Sequence, residues 1–174
     1  MPAEVVLRCG LDFGVKLDRE RARRVGRELR RHEAMSRATN LLRRRDVSAQ
    51  ELDARLARAQ VDPTTRAEVV SRLDELGVVD DNRFASRRAQ VLAERGAGDE
   101  LIRHDLSGRG ITVEGIEAAL SQLEPESARA ARIVERRGSS PKTVRYLAGK
   151  GFSEDAIESA LEGAVAEDAP PVVF

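Results

Sequence analysis

The chain has 174 residues, 41% of them hydrophobic and 34% charged, with 30 Lys/Arg balancing 30 Asp/Glu. That mixture describes a packed domain or a row of small ones, and it excludes a membrane span, because no apolar run approaches about 18 residues. One cysteine, Cys9, excludes an internal disulfide, and together with the absence of a basic-then-apolar leader it points to the reducing cytoplasm.

Five aromatics (Phe13, Phe84, Tyr146, Phe152 and Phe174) and no Trp leave Leu, Val, Ile and Ala to fill the core. With abundant Arg and Glu, this palette favours helices. The neutral total conceals a gradient. Residues 16–45 hold twelve Lys/Arg against four Asp/Glu, whereas residues 151–174 hold six acids and no base. Such opposed ends suit a long partner of mixed charge or neighbouring copies of the chain, or simply a well-solvated helical surface.

In chain order, Val5, Val6 and Leu7 fit either a short strand or the first turn of a helix, and Asp18 to Glu33 reads as helical. Ser48-Ala-Gln-Glu51 has the form of a capping box, opening a helix that buries Leu52 and Leu56. Asp62-Pro63 starts the next helix with proline in its first turn, Thr65-Arg-Ala-Glu68 offers a second box there, and Val69, Leu73 and Leu76 form its apolar stripe. Further on, Phe84, Val91 and Leu92 share a face, Leu101, Ile102 and Leu106 a second, and Ile116, Leu120 and Leu123 a third. Ser140-Pro141 opens another helix, and the acidic, proline-containing end from Glu167 to Phe174 reads as disordered.

An internal repeat organises these elements. Leu106 to Leu120 aligns with Leu147 to Leu161 at seven identities in fifteen positions, Gly108/Gly149, Gly110/Gly151 and Ile116/Ile157 among them. A fainter copy, Leu56 to Asp62, keeps the five-residue step from leucine to the apolar residue before a cap. Gly110 and Gly151 are expected in the left-handed conformation just past helix ends. Gly149-Lys150-Gly151 lacks the spacing and preceding strand of a phosphate loop, so it reads as one of these ends. The expected fold is all-α, with three tandem three-helix repeats stacked into an elongated curved module. An N-terminal arm and helix over 1–33 would precede repeats over 34–80, 81–125 and 126–165, with 166–174 as a tail.

Candidate chemistry is sparse. His32 and His104 belong to no metal-ligand or nucleophile pattern, and there is no nucleophile elbow, Walker sequence or dinucleotide fingerprint. No catalytic, cofactor-binding or metal residue is therefore expected, and the chain does not read as an enzyme. Asp80 and Asp81 resemble an acid pair, but following Gly77 they read as a cap at the junction of the first and second repeats. Arginine clusters at Arg43, Arg44 and Arg45, at Arg87 and Arg88, and at Arg136 and Arg137 are candidate contacts to a partner or to DNA phosphates.

The runs Leu42 to Leu52, Leu73-Asp-Glu-Leu76-Gly77-Val-Val-Asp80-Asp81-Asn-Arg-Phe84-Ala85 and Leu106 to Ile111 resemble the bacterial RecX regulatory proteins. The resemblance covers about residues 34–163. It implies a monomeric, non-catalytic protein of three helical repeats that binds the RecA recombinase filament on DNA. There it would limit filament growth, strand exchange and ATP hydrolysis during recombination and the response to DNA damage. The alternatives are a module that binds single- or double-stranded DNA weakly and without sequence preference, and an adaptor scaffold for other helical proteins.

Overall fold

The computed structural model describes residues 1–12, 14 and 18–167. Of the expected tail over residues 166–174, residues 166 and 167 belong instead to the last helix, while 168–174 lie outside the described residues, as do the aromatic residues Phe13 and Phe174. Among the described residues every regular element is an α-helix, and none is long and apolar enough to cross a membrane. The chain divides into two compact units, Met1–Asp80 and a second beginning at Asp81.

The first unit contains α1 (Ala3–Cys9), α2 (Arg19–Leu42), α3 (Ala49–Arg58) and α4 (Pro63–Glu75). Val5, Val6 and Leu7 are thus helical, and Val5 is fully buried. The α1 helix is tied to α2 by polar contacts: Arg24 donates to the Arg8 carbonyl at 3.1 Å, and His32 faces Glu4 at 3.5 Å. The Asp18 carboxylate accepts the Arg21 N–H at 2.7 Å, starting α2 where the sequence suggested. The helix does not stop near Glu33 but runs on to Leu42, because Ala34 and Ala38, one turn apart, continue its buried face. Ser48 Oγ accepts the Glu51 N–H at 3.2 Å, and Asp62 accepts the Thr65 N–H at 3.0 Å, so both predicted starts are capped. The second box does not form a start of its own; Thr65 lies inside α4 and is buried.

The second unit contains α5 (Asp81–Glu94), α6 (Asp99–Ser107), α7 (Val113–Ser121), α8 (Glu126–Arg137), α9 (Pro141–Gly149) and α10 (Glu154–Glu167). Buried side chains gather in three clusters. One joins Ala34, Ala38, Leu52, Leu56, Val69, Leu73 and Val79. The second is built around Phe84, Ala85, Ala89, Ile102, Leu106, Ile116 and Leu120, and the third around Ala130, Ile133, Val134, Leu147, Phe152, Ile157 and Ala160.

Three expected core residues lie outside. Leu76 is 55% exposed, because α4 ends at Glu75 and Val79 enters the core in its place. Val91 is exposed because the buried face of α5 centres on Ala85 and Ala89, roughly 100° around the helix from Phe84. Leu101 is 39% exposed because Ile102 and Leu106, one turn apart, hold the buried face of α6 and Leu101 lies about 100° to one side of it.

Among the described residues, one chain reversal followed directly by a side-chain cap recurs three times. The N–H of Val61 reaches the Leu56 carbonyl at 3.1 Å, that of Ile111 reaches Leu106 at 3.2 Å, and that of Phe152 reaches Leu147 at 3.2 Å. Each reversal needs a left-handed residue: Gln60 at φ 60°, Gly110 at 78° and Gly151 at 79°. Each is followed by a cap, as Asp62, Thr112 and Ser153 accept the N–H groups of Thr65, Gly115 and Ala156. The fainter sequence copy therefore has the same geometry as the clearer two, with glutamine strained where they use glycine.

Two further ties shape the second unit. Gly98 donates its N–H to the Lys150 carbonyl at 2.8 Å, and Glu100 donates to Gly151 at 3.1 Å. The backbones approach so closely that a Cβ on Gly98 would stand 2.2 Å from the Gly151 oxygen. On α5, Arg88 makes a two-pronged pair with Asp105 of α6 at 2.9 and 2.8 Å, and Arg109 adds a contact of 2.8 Å to the same carboxylate. Hydrogen bonding from Arg88 foremost, with Arg109 assisting against the opposing effect of burial, holds Asp105 well below the usual carboxylate range.

Three outcomes are expected. Gln60→Gly relieves left-handed strain that exceeds the entropy cost of glycine and stabilises the fold by roughly 0.5 kcal/mol, read from the denaturant midpoint. Gly98→Ala forces two backbones apart and destabilises by ~2 kcal/mol or more in the same assay. Asp105→Asn costs about 1–2 kcal/mol at pH 7. Because the folded state depresses this pKa, the stabilisation is complete above the ordinary value near ~4 and fades as pH falls toward the folded value. Urea titrations from pH 7 down to pH 2.5 should show the gap between wild type and Asp105→Asn narrowing only at the acid end.

Candidate functional site

The arginine clusters separate into different kinds of site. Arg43, Arg44 and Arg45 close α2, their backbone N–H groups reaching the carbonyls of Thr39 and Leu41 while their side chains stand in solvent. Arg45 pairs with Glu51. Arg87 projects from α5 and is exposed, whereas Arg88, one position on, is held by Asp105 and works as a tie between helices. Arg136 and Arg137 occupy the last turn of α8, where cations complement the carbonyl end of the helix dipole. Asp80 directly precedes α5 and Asp81 is its first residue; both are half-buried at the helix start.

Within the second unit, the structure brings Arg136 and Arg137 together with three arginines the sequence did not single out. A cleft of about 780 Å³ is lined by Arg95, Arg129, Arg132, Arg136 and Arg137, above an apolar floor that includes Ile133, Tyr146 and Phe152. Arg137 lies 4.0 Å from the centre of the Tyr146 ring, and the Lys150 ammonium lies over the same ring at 5.7 Å. Arg136 donates to the Arg132 carbonyl at 3.0 Å. Arg132 pairs with Glu124 on the surface, both side chains remaining well exposed.

Arg129 is different. It is 6% exposed, donates to the Ala97 carbonyl at 2.7 Å and the Glu124 carbonyl at 3.1 Å, and pairs with Asp99. Burial, reinforced by Glu126 nearby, raises the Asp99 pKa despite that arginine. Glu126 accepts the Asp99 N–H at 2.6 Å and the Ser153 hydroxyl at 2.6 Å, so the first turn of α8 joins the starts of α6 and α10. Arg129 sits between alanines in the sequence and carried no mark of burial. Arg95, which is exposed, precedes Gly96, so its place at a helix end was faintly marked.

Among the described residues, no group of three or more His, Cys, Asp or Glu is placed to hold a metal ion. What the arrangement offers is a set of guanidinium groups on a rigid helical frame, suited to binding anionic surfaces.

No family model matches the chain. Among curated proteins, it is 31% identical over 153 residues to the "Regulatory protein RecX" of Xanthomonas axonopodis pv. citri, covering 82% of this chain and 94% of that protein. It is 34% identical over 133 residues to the "Regulatory protein RecX" of Chromohalobacter salexigens, covering 71% and 88%. Among solved structures, the "Crystal structure of regulatory protein RecX" superposes with a TM-score of 0.79 at 20% identity, over 91% of this chain and 85% of that one. The "Crystal structure of RecX from Lactobacillus salivarius" gives 0.71 at 19% identity, over 79% and 97%. On the strength of these relatives, the chain belongs to the RecX family of regulatory proteins.

Proposed function

We propose that this protein regulates the RecA recombinase by binding its filament on DNA, acting in the cytoplasm, as a monomer and without catalysis. The observation that carries the reading is membership of the RecX family across nearly the full length of its relatives. On this reading the protein restrains filament growth, strand exchange and the accompanying ATP hydrolysis.

The recurring reversal and cap support an organisation in three repeats, over 34–80, 81–125 and 126–165. Repeated units let weak contacts act together, so affinity arises from several modest sites rather than one deep pocket. The proposed contacts are the exposed Arg43, Arg44, Arg87, Arg136 and Arg137, with Arg45 able to exchange its surface pair for a partner carboxylate or phosphate. Arg88 contributes by holding α5 against α6.

Purified protein added below stoichiometry to RecA on single-stranded DNA should slow ATP hydrolysis and strand exchange. An unchanged rate at molar excess over the cognate recombinase would refute the reading.

A further inference from the structure

We infer that the α8 cleft of the second unit binds the phosphodiester backbone of a nucleic-acid strand directly, without sequence preference and without any need for the recombinase. Five of the eleven arginines of this unit are matched by carboxylates in its helical frame: Arg88 and Arg109 by Asp105, Arg103 by Glu100 and Glu117, Arg129 by Asp99 and Arg132 by Glu124. Arg95, Arg136 and Arg137 are different. Among the described residues they make no ion pair, yet all three line one cleft. Charges that the fold does not neutralise internally, gathered around one concavity, are available to an external anion.

The geometry selects a chain of phosphates over a single compact anion. Arg129, Arg132 and Arg136 follow each other at steps of three and four along α8, about one turn or 5.4 Å apart, a spacing suited to successive phosphates of an extended strand. Arg129 is fully engaged and anchors the row. Arg132 is held only by an exposed pair, which costs little to exchange. The Tyr146 ring fixes Arg137 in place, so its planar fork loses little freedom on meeting phosphate oxygens.

The same contact removes Tyr146 as an open platform for base stacking, and no second exposed aromatic lines the cleft. Recognition therefore falls on the backbone rather than the bases. Two carboxylates, Glu94 and Glu135, also line the cleft and oppose the ligand; Glu94 is drawn toward Gln90 by a bond of 3.0 Å. Their presence sets the expected affinity as weak and strongly dependent on salt.

The test uses the full chain, a fluorescein-labelled oligo(dT) 20-mer, no recombinase, and polarisation from 25 to 200 mM salt. The triple variant Arg95→Gln/Arg136→Gln/Arg137→Gln loses a cation–ring contact and helix-end charges, so it should still fold cooperatively with a modestly lower Tm, bind at least tenfold more weakly at 50 mM salt, and flatten the log–log salt slope by about 2, at ~0.7 per phosphate contact. The first-unit variant Arg19→Gln/Arg23→Gln, which also removes exposed arginine charge, should change binding less than threefold. Wild-type protein that fails to bind the oligonucleotide, a triple variant that binds like wild type, or equal losses in both variants would overturn the assignment. So would competition by poly-glutamate as effective as that by unlabelled oligo(dT), which would mark the cleft as a site for acidic protein. Because RecA is absent, none of these results bears on whether the protein regulates the filament.

Discussion

The second unit depends on a charge that has been taken out of water. Moving the Arg129 guanidinium to 6% exposure carries a desolvation cost of several kcal/mol, tolerable only because Asp99 and the carbonyls of Ala97 and Glu124 replace its hydration shell. Those partners come from the loop after α5, the start of α6 and the loop after α7, so satisfying one side chain fixes three separate segments on α8. Glu126, a turn earlier, repeats the device with opposite sign on the N–H groups of Asp99 and Ser153. Between them the backbones of Gly98 and Gly151 meet with no room for side chains. This polar joint gives a physical reason why the second and third core clusters fall within one compact unit.

Such a joint is demanding where an apolar interface would be forgiving. A hydrophobic face tolerates a sliding neighbour, whereas a buried guanidinium with fixed acceptors permits one register. The clusters around Phe84 and Ile133 are built largely of alanine and branched aliphatics and specify little by shape alone. The hydrogen bonds of Arg129 and Glu126 supply the register those side chains lack.

Much of the fold was legible because its signals are local. Ser48, Asp62 and Ser140 before their helices, the glycines after α6 and α9, and the seven-residue identity between repeats all act within a few positions of themselves. The failures share the opposite character. Whether α2 would stop near Glu33 turned on Ala34 and Ala38, small residues with weak hydrophobic signal that nevertheless let helices approach closely. The faces assigned to Val91 and Leu101 were inferred from bulk, while burial on α5 follows the alanines. Of the candidate site, Arg136 and Arg137 could be read only as a pair of adjacent cations. Their meeting with Arg95, forty residues earlier, is a property of packing that no local pattern encodes. Neither was the burial of Arg129 encoded: one arginine among many in an arginine-rich chain is indistinguishable until its acceptors fold around it.

The cation-flanked ring of Tyr146 has a consequence of another kind. The chain contains no tryptophan and a single tyrosine. Nearly all its intrinsic ultraviolet emission therefore originates from one residue, and that residue lies in the floor of the arginine cleft. The native protein carries its own optical probe at this position, sensitive to how Arg137 and Lys150 sit over the ring. Any event that rearranges those cations becomes visible without a label, in a molecule whose remaining surface is spectroscopically silent.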